Sequence, residues 1–294
     1  LRALAAAYPL PPQVAAALAS ASPAEWRNRG TMLLRAHAYQ PAYEAFARAV
    51  HDAPGDGEAL RGLVRAAVPA GQAEQAVQRL REVIAADPAN VPARVEASRL
   101  LASRGRVEDA RRVLADPAAA STSAGRAQLL AQVASIFADG ADAARLGPAV
   151  RALERERPDE GITLFYRATE RYLLGQTEEA AKLAERAVSK LPEARVHNLL
   201  GAALATLGRT DRARQAFAAA AAADPSDPAG YVNLGALELE RADARAAAAH
   251  FAEALSVDPG SDAAREGLAS AFERLGEDDR AARLRRPQAA SQRR

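Results

Sequence analysis

Proline recurs along this 294-residue chain with a period of about 34, at Pro54, Pro88, Pro158, Pro192, Pro225 and Pro259. The gaps are 34, 70, 34, 33 and 34, and 70 is close to two periods plus a small insertion. Pro88, Pro225 and Pro259 each follow an aspartate. Each proline closes an apolar-periodic stretch, where a missing N–H and a fixed φ stop a helix. A period of this size marks a stack of supersecondary units. Such a stack grows in one direction, so the usual allowance of about 150 residues per domain does not bound it.

The interiors repeat in register with the prolines. Residues 194–227 carry Leu200, Gly201 and Leu204, then Gly208, then Ala213, Phe217 and Ala220, and Pro225 closes the unit. The following unit repeats this with Tyr231, Leu234, Gly235, Ala247, Phe251, Ala254 and Pro259. Near the start stand Trp26, Gly30, Leu33, Ala42, Phe46, Ala49 and Pro54, then Leu60, Leu63, Gly71, Ala76, Leu80, Val83 and Pro88. Steps of three and four place each triplet on one helix face. Small residues (Gly30, Ala42, Ala49) let two antiparallel helices approach, and Trp26 and Phe46 fill the space between a pair and its neighbour. One pair cannot bury both faces, so the units must stack.

Composition agrees with helices. The chain is 49% hydrophobic and 26% charged, which is globular, and alanine makes up more than half of the apolar residues. Aromatics are 4%, too few for a β-sandwich. There is no cysteine, which excludes disulfides, thiolate zinc sites and cysteine nucleophiles and leaves cytoplasm and periplasm equally open. A net charge of +2 gives no pull toward nucleic acid, so no nucleic-acid partner is expected. No run of 18 apolar residues exists, so no membrane span is expected. Pro9, Pro11 and Pro12 break the apolar start, which therefore does not read as a signal peptide. A chain that begins at Leu1 is expected to be a mature or excised piece of a longer protein.

The repeat resembles the tetratricopeptide repeat, W-x2-L-G-x2-Y, then A-x3-F, then P, in about 34 residues. Trp26-x2-Arg29-Gly30-x2-Leu33, Ala42-x3-Phe46 and Pro54 depart from it at two places. The resemblance covers roughly residues 23–286, is of a bacterial type, and implies an all-α, right-handed superhelical α-solenoid of about seven to eight helix-turn-helix units. The expected organisation is an amino-terminal extension or capping helix (1–22), units one to three (23–120), a divergent fourth (121–160), units five to seven (161–261), a capping unit (262–286) and a disordered tail (287–294).

Some stretches depart from the pattern. Pro117 cuts the second helix of the third unit short, and residues 118–125 read as a small-residue loop. Gly147-Pro148 predicts a late start or a kink in the second helix of the fourth unit. The first helix of the fifth unit is ambiguous by one residue, which leaves Phe165 and Tyr172 as core or groove. Ser22-Pro23-Ala24-Glu25 reads as a capping box. The stretch from Pro12 to Ser20 is expected as a short helix over the open end, and the polar last helix, with Asp278, Asp279, Arg280 and Arg283, as a terminal cap.

No catalytic motif is present: no P-loop, no dinucleotide fingerprint, no nucleophile elbow, no zincin pair. His37, His51, His197 and His250 do not stand at ligand spacing, and Glu178-Glu179 and Asp278-Asp279 fit helix starts, where acid complements the dipole. No catalytic residue, metal site or cofactor is therefore expected.

The resemblance implies a non-catalytic scaffold that binds a peptide or partner protein in a groove lined by the first helices. The groove-facing positions would be Arg27, Thr31 and Arg35, then Arg61 and Arg65, then Val95 and Arg99. In the carboxyl-terminal half they would be Asn198, Ala202, Val232 and Ala236, which are nearly neutral. Arginine forks bind carboxylates bidentately, so an acidic segment is one expected ligand. The alternative is that arginine is simply the chain's surface cation, since Lys182 and Lys190 are the only lysines among 39 basic residues. Family members that clamp chaperone tails use an asparagine that would fall at Thr31, Arg65, Arg99, Ala202 or Ala236, and none of these is asparagine. Two other readings stay open: a recruitment or regulatory segment of a larger enzyme of transferase or sulfatase type, and a structural component of a cell-envelope assembly.

Overall fold

The computed structural model describes residues 21–116 and 120–285. Among them are sixteen α-helices and no strand, an all-α helical-repeat solenoid. The expected amino-terminal helix and carboxyl-terminal tail lie outside the described residues. The helices are α1 (Pro23–Arg35), α2 (Tyr39–Asp52), α3 (Gly57–Ala67), α4 (Ala73–Ala86), α5 (Val91–Ser103), α6 (Val107–Leu114), α7 (Ser123–Asp139) and α8 (Ala143–Glu156). They continue as α9 (Gly161–Leu173), α10 (Thr177–Lys190), α11 (Ala194–Thr206), α12 (Thr210–Ala223), α13 (Ala229–Glu240), α14 (Ala244–Val257), α15 (Asp262–Arg274) and α16 (Asp278–Arg285). The chain divides into two compact units after Ile136, and each is described by itself.

The first unit is built on α1 to α6 and most of α7. Its core holds Phe46, Leu60, Leu63, Leu80, Leu100, Leu101 and Leu114, with Trp26 and Leu33 packed half-buried against them. Phe46 lies between its own pair and the next, against Gly30 of α1 and Gly62 of α3. The Ser22 capping box forms as expected: the Ser22 N–H donates to Glu25 Oε2 at 2.7 Å, and the Glu25 N–H donates back to Ser22 Oγ at 3.3 Å. Those bonds from Ser22 hold the Glu25 carboxyl below its usual range.

In the third pair α6 has eight residues where α2 and α4 have 14, and it ends three residues before Pro117. The carbonyls at and just beyond its end are bonded by a buried arginine. Arg94 Nε donates to the Val113 carbonyl at 3.0 Å, Nη1 and Nη2 to that of Asp116 at 3.1 Å, and Nη2 also to that of Ala115. A guanidinium supplies five donors in a fixed fork and a charge that complements a helix C-terminus, so it replaces the missing turns. The loop expected over 118–125 is shorter than the sequence suggests. Ser123, Ala124 and Gly125 already belong to α7, with the Gly125 N–H bonded to Thr122 Oγ1 at 3.0 Å.

The second unit runs from the end of α7 to α16. The late start expected in α8 does not occur: the helix begins at Ala143 with Pro148 inside it. Asp142 accepts from the Arg145 N–H at 3.0 Å and fixes the start ahead of the proline, which then removes one internal hydrogen bond. The fifth pair's register is settled by burial. Leu164, Tyr166 and Ala168 are buried, while Phe165 and Tyr172 are half-buried at the core's margin. Further on, Phe217 packs against Gly201, and Phe251 against Gly235 and Gly267. In the last pair Ala281 is buried, and Arg285 pairs with Glu266 and Glu273 of α15.

Every turn between the two helices of a pair has one residue with positive φ: His37, Gly71, Gly105, Ala141, Gly175, Gly208, Ala242 and Gly276. Across pairs, turn arginines reach back to the first turn of the preceding second helix. Arg106 meets Glu74 at 3.0 Å, Arg209 meets Glu178 at 3.0 Å, and Arg241 meets Asp211 at 2.9 Å.

Candidate functional site

The first helices α1, α3 and α5 of the first unit present the arginine positions. Arg27 is not a free fork: its Nη1 donates to Asp56 Oδ2 at 2.8 Å, and its Nε lies 3.4 Å from Glu58. Asp56 is also the N-cap of α3, accepting from the N–H groups of Glu58 and Ala59, so Arg27 ties α1 to the start of α3. The Thr31 hydroxyl donates to the Arg27 carbonyl at 3.0 Å and spends its proton on its own helix. Val95 is 2% exposed and belongs to the core, not to a ligand-facing surface. Arg35, Arg61 and Arg65 are exposed. None of the three makes an ion pair with a described residue.

Arg99 leads to a carboxylate that its position alone did not reveal. Its Nη1 donates to Glu96 Oε1 at 3.0 Å, and its Nε to Gln132 Oε1 of α7 at 3.3 Å. Glu96 is 6% exposed. Burial raises its pKa, against the pull of Arg99 and Arg61, the two cations that act on it. Arg99 thus pairs with this buried carboxylate, and Arg61 acts on it electrostatically without forming an ion pair. Two of the five arginines, Arg27 and Arg99, are already engaged with acids. The three-residue step from Glu96 to Arg99 was visible as a helical ion pair; its burial was not.

In the second unit the corresponding helix positions are close to neutral. Asn198 Oδ1 accepts from Asn233 Nδ2 at 3.0 Å, linking α11 to α13. Ala202 and Val232 are half-buried and Ala236 is exposed. Phe165 carries the Arg195 guanidinium over its ring at 5.2 Å.

Among the described residues no three His, Asp or Glu side chains gather to hold a metal ion, and no helix is long and apolar enough to cross a membrane. His37 Nδ1 lies 2.8 Å from the Tyr39 hydroxyl, and burial lowers the pKa of His197. These histidines stand in separate pairs of the stack.

Family models described as tetratricopeptide repeat match residues 67–133, 167–228 and 232–286, together more than half of the chain. Among solved structures, the chain is similar to a tetratricopeptide repeat protein from Parabacteroides merdae, with TM-score 0.61 and 13% identity, over 85% of this chain and 98% of that one. It is also similar to a chain of the APC/C hetero-tetramer Cut9–Hcn1, with TM-score 0.62 and 14% identity, over 84% of this chain. It spans 48% of the length of that protein. At these identities the likeness concerns the fold. No curated protein matches the chain in sequence.

Proposed function

The chain belongs to the tetratricopeptide repeat family, a family of protein–protein interaction scaffolds, and from that premise we propose that it holds an acidic segment of a protein partner against α1, α3 and α5. The observation that carries this reading is the contrast among the arginines. Arg27 and Arg99 are held by carboxylates of the chain itself, while Arg35, Arg61 and Arg65 are exposed without an ion pair among the described residues. Carboxylates already sit on two members of the row, so a carboxylate-bearing segment extends a pattern the surface uses internally. Arg61 and Arg65 stand four apart on α3, one above the other, and offer two forks to one extended acidic segment. The half-buried and buried side chains between them hold these forks on a rigid helix rather than on a loop.

The test uses a fluorescein-labelled poly-glutamate peptide and the full chain. Anisotropy is expected to show saturable binding that weakens with salt. Arg61→Glu with Arg65→Glu is expected to weaken it about tenfold, since each 1.4 kcal/mol is a factor of ten. Arg65→Glu alone is expected to keep the parent melting temperature, because that side chain is exposed. Arg61→Glu also removes a cation that acts on the buried Glu96 and adds a like charge, so the double variant is expected to melt somewhat lower while still folding. Equal binding by the double variant overturns the proposal.

A further inference from the structure

An open recess of about 410 Å³ lies between the second helices α2 and α4. Tyr43, Glu44, Ala47, Arg48 and His51 of α2 line it, with Arg79 of α4. It is on the second-helix side of the stack, apart from the arginine row described above. Tyr43 and Ala47 are buried and make its apolar part. The volume falls within the range that takes a small ligand or one protruding side chain.

We propose that this recess binds a carboxylate on a short apolar body, with Arg79 as its ionic partner. Arg79 makes no hydrogen bond or ion pair with a described residue, and its Nε is buried without a partner. A buried Nε–H with no acceptor is costly, and a carboxylate satisfies it with one oxygen while the other reaches a second donor of the same fork. The neighbouring charges are otherwise engaged: Arg48 lies 3.7 Å from Asp52, and Glu44 accepts from the Gln40 amide at 3.0 Å. The lining holds two arginines, one glutamate and one histidine. With Arg48 and Glu44 engaged, Arg79 is the cation left for a carboxylate. Inorganic phosphate has no apolar body to lay against Tyr43 and Ala47. The buried tyrosine ring and alanine methyl give an aliphatic chain a surface to cover.

Two sources supply this chemistry, a free short-chain acid and an acidic side chain of a partner, and the experiment separates them. The full chain, ¹⁵N-labelled, is titrated with hexanoate, hexanamide, inorganic phosphate and a capped Leu-Glu dipeptide. The Arg79 Nε–H and the Ala47 amide are followed. Hexanoate is expected to shift both saturably with Kd about 1 mM. Hexanamide and phosphate are expected to bind at least about tenfold more weakly. A dipeptide that binds as tightly as hexanoate assigns the site to a partner's side chain; binding of hexanoate alone assigns it to a free acid. Arg79→Gln is expected to abolish the Ala47 shift, and Arg79→Lys, which keeps the charge and loses the fork, to weaken it. The Arg61→Glu, Arg65→Glu variant is expected to retain it, so failure here is distinguishable from failure of the acidic-segment reading. The absence of a saturable shift, an equal response to hexanamide or phosphate, or full binding by Arg79→Gln overturns the proposal.

Discussion

Gly62 of α3 lies directly against the ring of Phe46 of α2: a Cβ at Gly62 would stand 2.6 Å from Cδ1 of that ring and nearer still to its edge. Gly30 faces the same ring at 2.9 Å, so one aromatic side chain joins its own pair to the next across two glycines. The same arrangement holds Phe251 between Gly235 and Gly267. In an unconstrained helix, Gly→Ala gains about 1 kcal/mol. Here the added methyl must displace a ring that is 2% exposed and has nowhere to go. Gly62→Ala is therefore expected to destabilise by about 1–3 kcal/mol. Gly55→Ala, where a Cβ meets nothing within 4 Å, is expected to be neutral or mildly stabilising. Urea midpoints of both variants decide it. In a Phe46→Leu background the penalty at Gly62 is expected to shrink, and additive effects would show that the two residues do not press on each other.

The turns carry strain at three places. Five of the eight left-handed turn residues are glycine, but Ala242 has φ 62°, Ala141 φ 51° and His37 φ 55°. A side chain in this region costs about 1–2 kcal/mol, and glycine's extra unfolded-state freedom returns part of that. Ala242→Gly is expected to stabilise by about 0.5–1 kcal/mol. Gly208→Ala, at φ 71° and with open space around it, is expected to lose a similar amount through backbone strain alone. Thermal melts of the two variants should move in opposite directions. Movement of both in the same direction would mean that the turn conformation is not what sets the cost.

Much of this architecture is legible in residue type. The prolines, the glycine–phenylalanine pairs and the Ser22 capping box all act within a few residues or recur at a fixed period, so pattern reveals them. The turns at His37, Ala141 and Ala242 carry no signal of type, because packing of the paired helices imposes their conformation. Gly147-Pro148 reads as a late start or a kink, and the late start fails because Asp142 fixes the beginning of α8 ahead of the proline. At the candidate site the arginine positions are legible and their partners are not. Asp56 lies 29 residues from Arg27, and only the stacking of α1 on α3 brings them together. In α5 the apolar pattern is blurred because Arg94, Glu96 and Ser98 are buried alongside Val95 and Leu100.

Glu96 should give the first unit a pH signature. Its carboxyl is held above the ordinary value of 4.5 by burial, although Arg99 and Arg61 pull the other way. A carboxyl whose native pKa exceeds its unfolded one binds its proton more tightly in the fold. Its contribution is therefore most favourable below the unfolded value, and it declines as pH rises from about 4.5 through the raised native value. Glu96→Gln preserves the shape of the protonated side chain at every pH. It is expected to flatten that part of the stability curve and to match or exceed the parent at neutral pH. It also removes the carboxylate that Arg99 holds at 3.0 Å, which frees a third cation beside Arg61 and Arg65. Poly-glutamate should then bind about threefold more tightly, corresponding to the 0.5–1 kcal/mol typical of a partly exposed ion pair. A pH slope unchanged from the parent would place the titration on other groups, and unchanged peptide affinity would remove Arg99 from the binding surface.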